Sequence, residues 1–302
     1  MFLWGCTAFL LWIVSFIACS RDVSYQAIDY QKRTSIQGFT DSPPNDSLDL
    51  TIAVAPIIST EESYKKYYDL FSYAAAACSL KIKTTYYKKN VEIYRLFQSN
   101  SVDVAFVSEI LYVMGKRHHL LDLLVVPVRK GKPTHEAYII AQRKSPAISF
   151  FDLIKKRFAF TDEFSLTGYW YPLSMSGTGT ASWRQLFFSG SHDQSVYLVN
   201  RGLLDGASVD SYVYDAISSA SPKSVANTRV LKVSREFGSQ PIVISTHLSP
   251  HVREAFKKAF LSLDKDSTGR KLLAALDIDK FITQDDSCYA SISAMVPETI
   301  VP

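Results

Sequence analysis

The chain has 302 residues, 47% of them hydrophobic, with 33 Lys and Arg against 29 Asp and Glu for a net charge of +4. That composition supports a sizeable core in one or two globular domains and excludes disorder over most of the length. No Lys/Arg block of the kind that grips nucleic acid is present, and the slight positive balance suits a small anionic partner at least as well.

From Phe2 to Ala18 the sequence is apolar and uncharged, with only the small hydroxyls Thr7 and Ser15 in it, then turns polar at Ser20, Arg21 and Asp22. This length fits the core of a signal peptide better than a membrane span. Cys19 follows the small residue Ala18, so residues 1–19 read as a lipoprotein-type signal, cleaved before Cys19, whose thiol then carries the lipid. The segment lacks Lys and Arg, and Phe16 stands where such signals usually have Leu, so an uncleaved N-terminal anchor is the other reading. Both export the rest of the chain. Residues 20–47, polar and carrying "DSPPNDS", have neither helical nor strand periodicity and read as a flexible tether.

Beyond Leu48 short apolar runs alternate with helical patterns. "LTIAVAP" (50–56) is predicted as a strand, 61–78 as a helix, "LKIKTTYY" (80–87) as a strand, 90–100 as a helix and "VDVAFVS" (102–108) as a buried strand. This is the rhythm of a mostly parallel α/β sheet. Two extended runs then flank the turn "RKGKP" with no helix between them. A second α/β unit follows: helix 149–156, strand 157–162, a loop and helix from Ser165, helix 192–202, strand 205–210 and helix 211–220. Residues 228–246 are extended again, and the amphipathic helices "SPHVREAFKKAFLSL" and "STGRKLLAALD" end the fold. Two extended crossings imply two α/β lobes joined by a two-strand hinge: lobe 1 from 48–130 and 245–302, lobe 2 from 131–244. Ligands of open α/β sheets sit beyond the carboxyl ends of strands, so the cleft between lobes is the expected site.

Besides Cys6 and Cys19 only Cys78 and Cys288 remain. Exported, the two either form one disulfide or leave Cys78, at the end of "YAAAAC", as a buried small residue. With no CxxC pair and no His/Cys cluster, no metal or other cofactor is expected.

Two strand-to-helix junctions carry chemistry. "RFAFTDEFSLTGYWYP" places Ser165, Thr167 and Gly168 after a strand at a helix start, and "FSGSHDQSV" repeats the arrangement with Ser191 and His192. The first N–H groups of a helix lack intrahelical partners and the dipole there is positive, so hydroxyls at these positions complete an anion cradle; an ordinary N-cap uses the same residues. A hydrolase elbow of G-x-S-x-G type is absent, and Asp193 is too close in sequence to His192 to orient it on a helix. Anion binding is the better chemical reading.

"NSVDVAFVSEILYVMG", "FAFTDEFSLTGYWYP" and "FFSGSHDQSVYLVNRGLLDGASVDSYVYD" together resemble the phosphate/phosphite/phosphonate-binding proteins of ABC transporters, from about Leu50 to Thr283. The resemblance implies a periplasmic-binding-protein-like fold of type II that closes on a small oxyanion and presents it to a membrane permease, with no enzymatic step. By position it implies ligand contacts from Tyr112, Ser165, Leu166, Thr167, Gly168, Ser191, His192 and Asp210. Three departures stand out: Leu166 where the family's Ser-Thr-Ser-Gly loop has a hydroxyl, Gln240 where relatives often carry an acid, and an apolar first turn, "APIIS" (55–59). With Leu166 facing the ligand, the expected ligand is less charged than a phosphonate dianion, or larger and partly apolar. With His192 gaining a proton beside the anion, affinity is expected to rise as pH falls. The alternatives are a receptor serving a membrane partner other than a permease and, from another class, a serine hydrolase built on Ser165 or Ser191.

Overall fold

The computed structural model describes residues 49–56, 61–87, 89–177, 179–183 and 185–298. The signal segment, Cys19, the tether and Ile57 to Thr60 of the first turn lie outside them.

The chain alternates as the sequence pattern predicts through β1 (Asp49–Val54), α1 (Glu61–Ala76), β2 (Lys81–Tyr86), α2 (Asn90–Gln98) and β3 (Val104–Phe106). Helix α3 (Glu109–Arg117) follows, started by Ser108, whose hydroxyl accepts the Leu111 N–H at 3.2 Å. Strand β4 (Leu121–Val128), the two-residue β5 (Thr134–His135) and β6 (Ala137–Gln142) form the first extended crossing. The second unit holds β7 (Phe158–Phe160), α4 (Tyr171–Ser176), β8 (Phe187–Phe188), α5 (His192–Asn200), β9 (Gly206–Asp210) and α6 (Ser211–Ala220). The return crossing is β10 (Thr228–Val233), β11 (Phe237–Gly238) and β12 (Ile242–Ser245), followed by α7 (Pro250–Ser262) and α8 (Ser267–Ala274).

The chain does not end its fold at α8. Strand β13 (Lys280–Ile282), a 3-10 turn (Asp286–Tyr289) and α9 (Ala290–Ser293) follow, with Tyr289, Ile292 and Val296 buried in the core. The helix expected over 149–156 shortens to one 3-10 turn, Phe150–Leu153. There the Asp152 carboxylate accepts the N–H groups of Ile148 and Ser149, which closes a tight turn that leads directly into β7.

Among the described residues the strands form a six-stranded sheet in the order β13-β4-β12-β3-β1-β2 and a five-stranded sheet in the order β10-β6-β9-β7-β8. Neither is mostly parallel. β1 runs parallel to β2 and β3, and β7 to β8 and β9, but the crossing strands enter both sheets antiparallel to their neighbours. The cause is connectivity: β6 and β12 pass from one sheet to the other with no helix before them and insert between strands joined through helices, β6 between β9 and β10 and β12 between β3 and β4, so each runs against both neighbours. Midway between the sheets, β5 and β11 pair antiparallel, His135 opposite Phe237, as a two-strand link. The mixed α/β type II architecture with two lobes therefore stands, built on two mixed sheets.

One apolar cluster packs β1, β3, β4 and β12 against α1, α7 and α8; another packs β6, β7 and β9 against α5 and α6. A third runs from Ala53 and Phe97 through the crossings to Phe160, Leu166 and Trp183, giving a continuous core beneath the inward-facing strand ends. Cys78 and Cys288 are both free thiols, packed against different clusters, so the disulfide option falls away.

Candidate functional site

The carboxyl ends of β1, β3, β7 and β8 converge on a cleft of about 330 Å³, mouth included, lined by Pro56, Asn90, Ser108, Glu109, Thr161, Asp162, Ser165, Thr167, Gly190, Ser191, His192 and Gln240. The strand-end rule places it.

Its second-sheet wall is built from two turns held against each other. After β7, Ser165 accepts the Gly168 N–H at 3.0 Å and starts a wide π turn (Leu166–Trp170) that runs into α4. Gly168 is required by close approach, since a Cβ there would lie 2.0 Å from Thr161 Oγ1. After β8, the chain turns at Gly190, whose φ of 86° favours glycine, and its N–H bonds the Thr161 carbonyl at 2.9 Å. Ser189 is spent on the turn itself, bonding Ser195 Oγ at 2.7 Å and the Ser191 carbonyl at 2.9 Å. Ser191 is not spent. Its hydroxyl and that of Thr161 are buried and unpartnered, as is Asn90 Oδ1 across the cleft. Buried polar atoms rarely go unpaired without a reason, and three facing one cleft point to a ligand.

His192 completes the wall. Its Nδ1 accepts the Asp210 backbone N–H at 3.1 Å, which leaves the proton of the neutral ring on Nε2, 3.4 Å from Ser165 Oγ. Burial pushes its pKa down, and the positive His135 nearby does the same, outweighing the attraction of Asp210. Protonating Nδ1 would set two N–H groups against each other. The imidazole is therefore a fixed neutral donor, and the expected rise of affinity through His192 protonation does not follow.

Ser165, Thr167, Ser191 and His192 are thus brought together, and the other four sequence candidates lie elsewhere. Leu166 is fully buried in the core, on the side of the turn away from the cleft, so it cannot face an oxyanion. Tyr112 is buried and donates its hydroxyl to Asp286, while Gly168 packs behind Thr161. Asp210 has no capacity to spare. Its Oδ1 caps α6 through the Tyr212 and Val213 N–H groups at 2.8 and 3.3 Å, and Oδ2 accepts from Gln240 at 2.9 Å and His135 at 2.6 Å.

That last contact opens a buried charged chain. His135, on β5, lies between Asp210 and Glu109, with Nε2 at 2.7 Å from Glu109 Oε1, and both side chains are almost wholly buried. Burial alone would lower the His135 pKa, but the two carboxylates push it up to about 10. Asp210 is held well below the usual carboxylate range: burial opposes this, and the positive His135 with its hydrogen bond and the Gln240 hydrogen bond prevail. Asn90 donates to Asp162 at 3.0 Å across the mouth, and the burial of Asp162 raises its pKa. Sequence reasoning passed over Asn90, Glu109, Thr161 and Asp162, although each sits where a strand hands over to a helix or turn, the signal that found Ser165 and His192.

A second Ser–His–Asp set occurs far from the cleft: Ser245 Oγ is 2.5 Å from His247 Nδ1, and His247 Nε2 is 2.9 Å from Asp103 Oδ1. Ser245 is fully buried and its N–H bonds the Asp103 carbonyl, so the set clips β12 to the neighbouring loop and offers no accessible nucleophile.

Residues 52–289 match the family described as the phosphonate periplasmic substrate-binding proteins of ABC transporters. The chain is 27% identical over 146 residues to a probable ABC-transporter phosphite-binding protein, PhnD1, of Prochlorococcus marinus (strain MIT 9301). That stretch is 45% of this chain and 49% of the relative, so the chain spans about half the length of the curated relative it matches. Among solved structures, a binding component of an ABC phosphonate transporter from Pseudomonas aeruginosa superposes with a TM-score of 0.74 at 18% identity, covering 83% of this chain and 86% of the other. PhnD1 of Prochlorococcus marinus in complex with methylphosphonate gives 0.72 at 19% identity, covering 82% and 96%. At these identities the structural likeness is one of fold.

Proposed function

The chain belongs to the family of periplasmic phosphonate-binding proteins of ABC transporters, and on that premise we propose that it binds a small phosphonate-, phosphite- or phosphate-like oxyanion in the cleft and delivers it to a membrane permease. The observation that carries this reading is the convergence of unpartnered donors. Thr161 and Ser191 hydroxyls are buried without partners, and the His192 Nε2–H and Ser165 Oγ lie beside them at the start of α5. A neutral donor set of this kind stabilises an anion by charge-assisted bonds at a helix N-terminus. Lobe 1 comprises 48–130 and 245–302 and lobe 2 comprises 131–244, with β5 and β11 as the hinge; Asn90 to Asp162 and Glu109 to His135 join the two sides in a closed state. Ligand stabilises that state by its higher affinity for it. The protein is held at the outer face of the membrane by lipid on Cys19, and Cys19→Ser is expected to release it without altering the fold from Leu48 onward.

Calorimetry of the wild-type protein with phosphate, phosphite, methylphosphonate and 2-aminoethylphosphonate tests the reading. Binding of at least one at micromolar strength or tighter is expected; no heat and no thermal stabilisation with any of them contradicts it.

A further inference from the structure

Glu109 is a buried carboxylate, which an anion site should lack, in a cleft whose other wall is built of neutral donors. It opens α3 beside Ser108, lines the cavity, and is 2% exposed. Its Oε1 lies 2.7 Å from His135 Nε2, but the N–H does not point along that line, so a close ion pair forms without a well-directed hydrogen bond. Among the described residues no donor is bonded to the carboxylate, which keeps acceptor capacity inside the cleft. Among the described residues the lining also contains Asp162 and no Lys or Arg, although Lys89 lies near enough to act on the charge of Asp162. The charged groups around Glu109 are His135 on β5, Asp210 on β9 behind it, Asp162 across the cleft and neutral His192 on α5, with the Tyr289 phenol held protonated by burial.

We propose that Glu109 selects the protonation state of the ligand: the cleft takes a monoanionic oxyanion that keeps one O–H, which donates to Glu109 while the hydroxyls and His192 hold its charged oxygens. This rests on the anion-binding reading and adds to it the chemical form of the ligand. A dianion meets a fixed carboxylate at low dielectric, with no Lys or Arg among the described lining residues to offset it. A monoanion without O–H leaves the Glu109 acceptor unpaired, and a site built to pair with a hydroxyl rejects the analogue that lacks one. Selection thus falls on a hydrogen count, which an all-donor cradle cannot read.

The test is calorimetric titration of methylphosphonate between pH 6 and pH 9, a window in which His135 stays charged, with wild type and Glu109→Gln. Wild-type affinity is expected to fall by up to about tenfold per pH unit once the ligand's second ionisation is passed, the limit for one linked proton. Glu109→Gln, which has no charge, is expected to lose most of that slope. If the slope persists in the variant, Asp162 or the donor set is its source and the proposal is overturned. A measurement on wild type alone guards against a variant that fails to fold: the monomethyl ester of methylphosphonate, a monoanion without O–H, is expected to bind at least about tenfold more weakly than the acid at pH 6, and sulfate not at all. Equal binding of ester and acid, or an affinity that is flat or rising with pH, overturns the role of Glu109 while leaving oxyanion binding intact. Silence with every oxyanion at every pH overturns both.

Discussion

The turns after β7 and β8 and the crossing strands β5 and β11 both surround themselves with buried polar side chains, and they treat them in opposite ways. In the turns, the Thr161 and Ser191 hydroxyls carry no charge and have no partner. At the crossings, the charged His135 stands 2.7 Å from the Glu109 carboxyl and 2.6 Å from the Asp210 carboxylate, so the buried charges are paired. A hydroxyl left unpaired in the interior costs about 1–3 kcal/mol, which a fold tolerates where a ligand will repair it. A lone buried charge costs far more, so charges are paired internally. The difference separates binding groups from scaffold: His192 belongs to the first set and Asp210 to the second, although one hydrogen bond joins them.

The largest break in this comparison comes from the scaffold. His135→Ala removes the cation that stands between the buried carboxyl groups of Glu109 and Asp210, and a loss of about 3–5 kcal/mol in urea-unfolding free energy is expected. A loss under about 1 kcal/mol would mean the charges are not coupled as drawn. The same pairing has a pH signature. Because the folded-state pKa of His135 is raised to about 10, its stabilisation is complete below the unfolded value of 6.5 and disappears as pH rises through about 10. Thermal melts should therefore decline over that alkaline interval in wild type and decline less in the His135→Ala protein.

Smaller effects follow in the turns. His192→Ala is expected to weaken oxyanion binding by about 1.5–3 kcal/mol, the range for a hydrogen bond to a charged group, with an unchanged pH profile, because the ring binds in its neutral form. A variant whose profile flattens relative to wild type would restore the protonated histidine. Gly168→Ala drives a methyl group into Thr161 Oγ1 and should cost about 1–3 kcal/mol of stability, read from the unfolding midpoint, with binding impaired through the displaced Thr161.

Much of the architecture was legible because period and punctuation agree: alternating apolar runs gave β1 to β3 and β9, and strand-to-helix junctions gave Ser165, Thr167, Ser191 and His192. What was not legible depends on long-range pairing. The antiparallel entry of β4, β6, β10 and β12 is a property of sheet order, and β13 is too short to announce itself. Leu166 looked like a site residue because its neighbours are; the π turn that sends it to the core leaves no mark in the sequence. Asp210 has the right chemistry and the right strand end, but its oxygens are claimed by Gln240, His135 and α6 from positions far along the chain. Glu109 sat in plain view after β3, and only its burial beside His135 showed that a carboxylate enters the cleft.

The division between unpaired binding groups and paired scaffold is tested most directly by the double variant Thr161→Val, Ser191→Ala. Both changes remove a buried, unpartnered hydroxyl and keep the shape, so calorimetry with whichever oxyanion wild type binds most tightly should show affinity reduced at least about hundredfold, while the melting temperature without ligand stays equal or rises. Retained affinity, or an unfolding midpoint that drops as it does for His135→Ala, would show that these hydroxyls are part of the scaffold and that the anion is held elsewhere.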